Sequence, residues 1–205
     1  KEEVRNIEKA AVLNLDESVL RYPAAAISNT QAEIRGVVGL MERVIGSMVN
    51  PFISDELTGD VEDPDQDFQK GLHVRLDKIG QLNQSILDYL VKISNEELNE
   101  NQSREIFTLV SVVNYLDSIR SAVEMRYSNL MGKKETLEGE FSEDGQNDLA
   151  AYHLKMIKQL SRIGKFFKKY DPKKAEKIVA KGEKYKGLEE KYRLAHIKRA
   201  SAGET

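Results

Sequence analysis

Cysteine and tryptophan are absent from the 205 residues, proline occurs four times, histidine three times, and aromatic residues make up only 7% of the chain. Without cysteine there are no disulfides, thiolate zinc sites or cysteine nucleophiles, and a reducing compartment fits. His73, His153 and His196 lie far apart, which argues against histidine-rich metal sites and Ser/His/Asp catalysis. No stretch approaches the roughly 20 consecutive apolar residues of a bilayer span. The opening Lys1-Glu2-Glu3 has no signal-type apolar run, so the chain reads as soluble. Gly36, Gly39 and Gly46 match neither Gly-x-Gly-x-x-Gly nor the phosphate-binding loop pattern and read as points of close helix approach.

What is present is 40% hydrophobic and 32% charged residues, enough to bury one substantial core or two small ones. The net charge of -3 hides an asymmetry: Lys155 to Arg199 carries 16 basic against 5 acidic residues, a net of +11, and the remainder carries 15 against 29, a net of -14. A basic module of this kind serves nucleic acid, an anionic membrane surface or an acidic partner, or is the solvated face of charged helices; the last reading is the better one on composition.

Helical periodicity dominates, and alternating apolar and polar residues extend nowhere. The expectation is an all-α protein. A first helix from about Pro23 to Asn50 repeats Ile27, Ile34, Val37, Met41, Val44, Ile45 and Met48 at three- and four-residue steps. Ser54 to Asp67 holds seven acidic residues, no basic ones, Gly59 and Pro64, and reads as a mobile loop. A second helix, about Gln66 to Ser94, aligns Leu72, Leu76, Ile79, Leu82, Ile86, Leu90 and Ile93. A third, about Ser103 to Lys133, buries Ile106, Leu109, Val110, Val113, Leu116 and Val123. Ser142 caps a fourth helix reaching about Lys169, and Asp171-Pro172 starts a fifth running to about Ala200. Short loops make successive helices antiparallel neighbours. The first three form one bundle; the last two look like two members of a second bundle whose third helix is absent, leaving an apolar stripe for an assembly or another subunit to cover.

Several segments resemble the PhoU-like cytoplasmic domain of bacterial sodium/phosphate cotransporters of the type II family. They are Leu15-Asp16-Glu17-Ser18-Val19-Leu20-Arg21-Tyr22-Pro23-Ala24-Ala25-Ala26, Leu82 to Ser94, Asn114-Tyr115-Leu116-Asp117-Ser118-Ile119, Phe141-Ser142-Glu143-Asp144-Gly145, and Tyr192-Arg193-Leu194-Ala195-His196-Ile197-Lys198-Arg199. The resemblance implies two three-helix repeats, with 1–14 a linker from an upstream membrane region, 15–135 the first repeat and 136–205 an incomplete second repeat lacking its last helix. It further implies a non-enzymatic regulatory or interaction domain at the cytoplasmic side of the cell inner membrane, with phosphate transport carried by an upstream transmembrane domain. A homo-oligomer is a further expected assembly. The alternative is a free-standing PhoU-type regulator of phosphate uptake signalling. A carboxylate-metal hydrolase on a helical bundle is disfavoured because that scaffold uses Glu-x-x-His pairs.

Asn114, Asp117, Ser121, Glu124 and Ser128 form a polar stripe on the third helix, and carboxylates in such a stripe suit a hard divalent or ferric cation. PhoU proteins similarly carry Glu/Asp-x-x-x-Asp motifs that bind metal clusters. Here Ser121 takes the place of the second acid, and the corresponding positions of the second helix hold Leu76 and Gly80. Asp117 and Glu124 are the candidate metal ligands, with the lost ligands favouring ordinary hydrogen-bonded residues. Arg120 between them is placed to pair with either and to act as an internal cation. No cofactor is otherwise indicated. Lys165, Lys168, Lys169, Lys173, Lys174, Lys177, Lys181, Lys184 and Lys186 surround Phe166, Phe167, Tyr170 and Tyr185. The aromatics fall at core-packing steps and no nucleic-acid module is present, so nucleic acid is not expected; an anionic lipid surface is the partner such a basic face would meet.

Overall fold

The computed structural model describes residues 15–53, 68–136, 141–169 and 171–203. The expected acidic loop and the whole of the expected linker, 1–14, therefore lie outside the described residues. Six helices follow a 3-10 turn at Glu17–Val19: α1 Pro23–Ser47, the short α2 Asn50–Ile53, α3 Phe68–Ser94, α4 Glu100–Thr136, α5 Glu143–Lys168 and α6 Pro172–Ala202. No strand occurs among the described residues. The protein is an all-α helical bundle, as the periodicity predicts.

The expected apolar stripes make the core. Ile27, Ile34, Val37, Met41 and Val44 of α1 are buried against Leu72, Leu76, Ile79, Leu82, Ile86, Leu90 and Ile93 of α3 and against Ile106, Leu109, Val113 and Leu116 of α4. Val110 and Val123 are only partly buried at its edge. At about 25 cal/mol per Å2 of apolar surface removed from water, each full side chain contributes roughly 1.5–3 kcal/mol. This shared interior is what holds α1, α3 and α4 together. Ahead of it, Asp16 caps the 3-10 turn through Ser18 N–H (2.8 Å), and the Tyr89 hydroxyl donates to the Asp16 carbonyl oxygen (2.7 Å). The entry segment is thereby tied to the last turns of α3, where Lys92 also pairs with Glu17.

Three boundaries depart from expectation: α1 ends at Ser47 rather than about Asn50, with the short α2 following, and both ends of α4 move. Helix α4 begins three residues before Ser103, because Asn99 and Gln102 form a reciprocal cap: Asn99 Oδ1 accepts from Gln102 N–H and Gln102 Oε1 from Asn99 N–H, both at 3.0 Å. It also runs through Gly132 to Thr136, since one glycine inside a long helix costs only about 1 kcal/mol. The caps Ser142, accepting from Gly145 N–H, and Asp171, accepting from Lys173 N–H, stand where predicted.

Helix α5 packs along α1 and touches α2, while α6 packs on α5. The last two helices thus lean on the first bundle. The His153 Nε2–H donates to the Ile45 carbonyl (2.6 Å), fixing α5 to the end of α1, and Ile163 and Phe167 extend the common core. A Cβ at Gly164 would meet Val38 Cγ1 at 3.6 Å and one at Gly46 would meet Ile157 Cδ1 at 3.9 Å, whereas nothing lies within 4 Å of Gly36 or Gly39. Close helix approach therefore accounts for Gly46 but for neither of the other two α1 glycines.

Candidate functional site

Between α3 and α4 lies an open cleft of about 400 Å3, lined by Asp77, Gly80, Gln81, Asn83, Gln84, Leu87, Asn114, Asp117 and Arg120. Polar side chains reach one edge of an otherwise apolar helix pair because α3 places Asp77, Gly80 and Gln84 one turn apart, opposite Asn114, Asp117 and Arg120 on α4. Gly80 makes the geometry possible: a Cβ there would stand 3.3 Å from Arg120 Nε. The guanidinium crosses the glycine and is held by its own helix. Nε donates to Asp117 Oδ1 (2.7 Å), Nη1 to Glu124 Oε2 (2.7 Å) and Nη2 to Ser121 Oγ (3.2 Å).

The two candidate metal ligands, Asp117 and Glu124, are thus brought together around one cation, and that cation is Arg120. Its side chain is 18% exposed. The hydrogen bond to Asp117, followed by the fields of the two carboxylates, holds the guanidinium above its ordinary pKa against the opposing effect of burial. Asn114 lines the cleft, and Ser128 bonds back to the Glu124 carbonyl (3.2 Å) rather than joining the cluster. Among the described residues no three His, Asp or Glu side chains converge as a metal-holding group.

Asn83 was not singled out by its sequence position, since it falls inside the apolar stripe of α3. It is 2% exposed, and neither its Nδ2 nor its Oδ1 has a hydrogen-bond partner among the described residues. A buried amide in that condition costs roughly 1–3 kcal/mol, and it borders the cleft that Arg120 floors.

A second cavity of about 380 Å3 opens where α5 and α6 meet the ends of α2 and α4. Phe52, Leu130, Phe141, Leu149, Tyr152 and Tyr192 give it apolar walls, with His196 at its edge. Two ion pairs border it: Arg199 with Asp148 at 2.9 Å, and Arg193 with Glu189. The segment Tyr192 to Arg199 therefore brings Arg193, His196 and Arg199 to one hollow. Burial, then the Glu189 charge, pushes the Tyr152 phenol above its ordinary pKa. Of the basic-face aromatics, Tyr185 is buried, Phe166 and Phe167 meet edge to face at 6.0 Å, and Tyr170 is outside the described residues.

The chain is similar to curated proteins of enteric bacteria. It is 26% identical over 186 residues to "Putative inorganic phosphate export protein YjbB" of Escherichia coli strain K12 and, at the same identity and length, to the protein of that name from Shigella flexneri. The protein of that name from Salmonella typhimurium is 22% identical over 186 residues. Each alignment covers 91% of this chain and 32% of the relative, so the chain spans about a third of the length of the curated relatives it matches. No protein-family model matches it, and no solved structure matches it significantly. The relatives that it matches are named for inorganic phosphate export.

Proposed function

We propose that this chain is a PhoU-like regulatory or interaction domain of a phosphate transporter, seated at the cytoplasmic side of the inner membrane and carrying no reaction of its own. The observation that carries the reading is the alignment of 91% of the chain to only 32% of relatives named for inorganic phosphate export: the matched part is a module, and the remaining two thirds has room for a membrane domain. The sodium coupling rests on the resemblance to type II cotransporters. Within this reading the Arg120 clamp and the α5–α6 hollow are places where helix packing can respond to a transport state. The basic outer surface of α5 and α6 would face anionic headgroups, each well-placed Lys or Arg adding about 1 kcal/mol.

The test begins with the reading frame upstream of Lys1, where several apolar stretches of roughly 20 residues are expected. Labelled-phosphate flux in vesicles carrying the full-length protein, with and without a sodium gradient, then gives substrate and coupling. Removal of residues 15–205 should leave phosphate movement but change its control. An upstream frame without apolar stretches would sink the transporter reading and leave a free-standing phosphate regulator.

A further inference from the structure

Helix α4 carries an apolar face that the bundle does not use. Phe107 is 74% exposed, Tyr115 72% and Met125 69%, and Ser111, Ser118 and Ala122 lie between them on the same side at helical spacing. Asp117 and Arg120 line the cleft and Glu124 is bound to Arg120, so no charge interrupts this outer face from Phe107 to Met125. By length and composition the helix is apolar enough to cross a membrane, yet only 22% of its most apolar window is buried within the protein.

The ends of α4 have opposite charge. Glu96, Glu97, Glu100 and Glu105 stand at its start against Arg104, which pairs with Glu100, and Arg126, Lys133 and Lys134 stand near its end against Glu135. We infer that the outer face of α4 pairs with α4 of a second copy of this chain, antiparallel, about a two-fold axis near residue 116. Antiparallel pairing sets the acidic start of each helix against the basic end of the other and opposes the helix dipoles favourably. In that register Phe107 lies beside Met125 of the second copy, and Glu100 falls within one residue of the level of its Lys133. The small residues Ser111, Ser118 and Ala122 leave room for the rings. An anionic membrane fits the face less well, because the acidic start would be pressed against headgroups of its own sign.

Sedimentation equilibrium of the 205-residue chain from roughly 5 to 500 µM tests this, the range in which an interface of one helix face associates. A reversible dimer is expected. Phe107→Ser with Tyr115→Ser should weaken it by about a hundredfold, while the unfolding midpoint read at concentrations where the chain is monomeric holds, since both rings are exposed there. Glu100→Lys should weaken dimerisation, and Glu100→Lys with Lys133→Glu should restore it. The chain has no cysteine of its own, so a mixture of Phe107→Cys and Met125→Cys should cross-link, while Phe107→Cys alone should not, its two copies being about 27 Å apart at 1.5 Å per residue. A monomer at every concentration overturns the inference. So does efficient cross-linking of Phe107→Cys to itself, which means parallel pairing. Binding to phosphatidylcholine vesicles without dimerisation, abolished by Phe107→Ser with Tyr115→Ser, overturns it too and gives the face to lipid.

Discussion

Replacing Arg120 by methionine removes the charge that Asp117 and Glu124 share while keeping an unbranched stem over Gly80. The two bonds at 2.7 Å are charge-assisted, and the guanidinium is mostly buried, but the carboxylates are 43% and 37% exposed, so water screens their side of the interaction. Fully exposed pairs on one helix contribute about 0.3–0.5 kcal/mol each, and hydrogen bonds to charged groups up to about 3. Discounted for that exposure, the clamp contributes about 1–2 kcal/mol. For a chain of this size each kcal/mol moves the midpoint by about 2–4 °C, so Arg120→Met should lower Tm by about 3–6 °C at neutral pH and low salt.

Thermal unfolding by circular dichroism at two ionic strengths reads this directly. At 1 M salt the Debye length is about 3 Å, so part of the difference between wild type and Arg120→Met should disappear. Arg120→Lys should fall between them, because a single ammonium cannot fork to two carboxylates. A Tm change within about 1 °C for Arg120→Met refutes the clamp as a source of stability. A large loss wholly indifferent to salt refutes the electrostatic reasoning and assigns the effect to packing.

Four further substitutions follow from the structure. Tyr89→Phe should cost about 1 kcal/mol by deleting the hydroxyl that donates to the Asp16 carbonyl, whereas Tyr127→Phe should be neutral or stabilising, because the buried Tyr127 hydroxyl has no partner among the described residues; denaturant melts separate the two. Burial raises the pKa of both phenols, with the Asp16 and Glu17 charges adding to it at Tyr89. The folded state therefore favours the neutral ring, its contribution is complete below the unfolded value near 10 and is lost as pH rises beyond it, so unfolding midpoints should fall above about pH 10 and fall less in Tyr127→Phe. Gly36→Ala, in an exposed helix interior with nothing within 4 Å of the new Cβ, should stabilise by about 0.5–1 kcal/mol in the same melts. Asp148→Asn should cost about 1–2 kcal/mol by leaving Arg199 unpaired beside the α5–α6 hollow, a pair of which both members are under a third exposed.

The apolar stripes were legible because burial in a three-helix bundle imposes a 3.6-residue period, and every Leu and Ile expected on the inner face of α3 is indeed buried. Caps were legible where one side chain suffices, as at Ser142 and Asp171. The start of α4 was not, because the cap is shared between Asn99 and Gln102 and its acceptors sit outside the apolar period. The pairing of Arg120 with both carboxylates was readable from i,i+3 and i,i+4 spacing alone. Its surroundings were not: that Gly80 faces the guanidinium, or that Asn83 is buried with its amide unmatched, depends on how α3 is rotated against α4.

The same distinction separates the two ends of the molecule. In the first bundle each helix has a wide apolar stripe, so period alone orders the core. Helix α5 shares that core through Ile163 and Phe167, but α6 packs on α5 with Tyr185 as its one buried residue, and what positions it is polar: Asp148 with Arg199, and the Gln159 amide donating to the Ile178 carbonyl at 2.6 Å. A helix pair fixed by a few such contacts opens at lower free energy than one fixed by a core. Hydrogen exchange should therefore show α6 less protected than α3, and a ligand or partner engaging the α5–α6 hollow would reduce that difference. Equal protection of α3 and α6 in the isolated chain would mean that the polar contacts hold as firmly as the core.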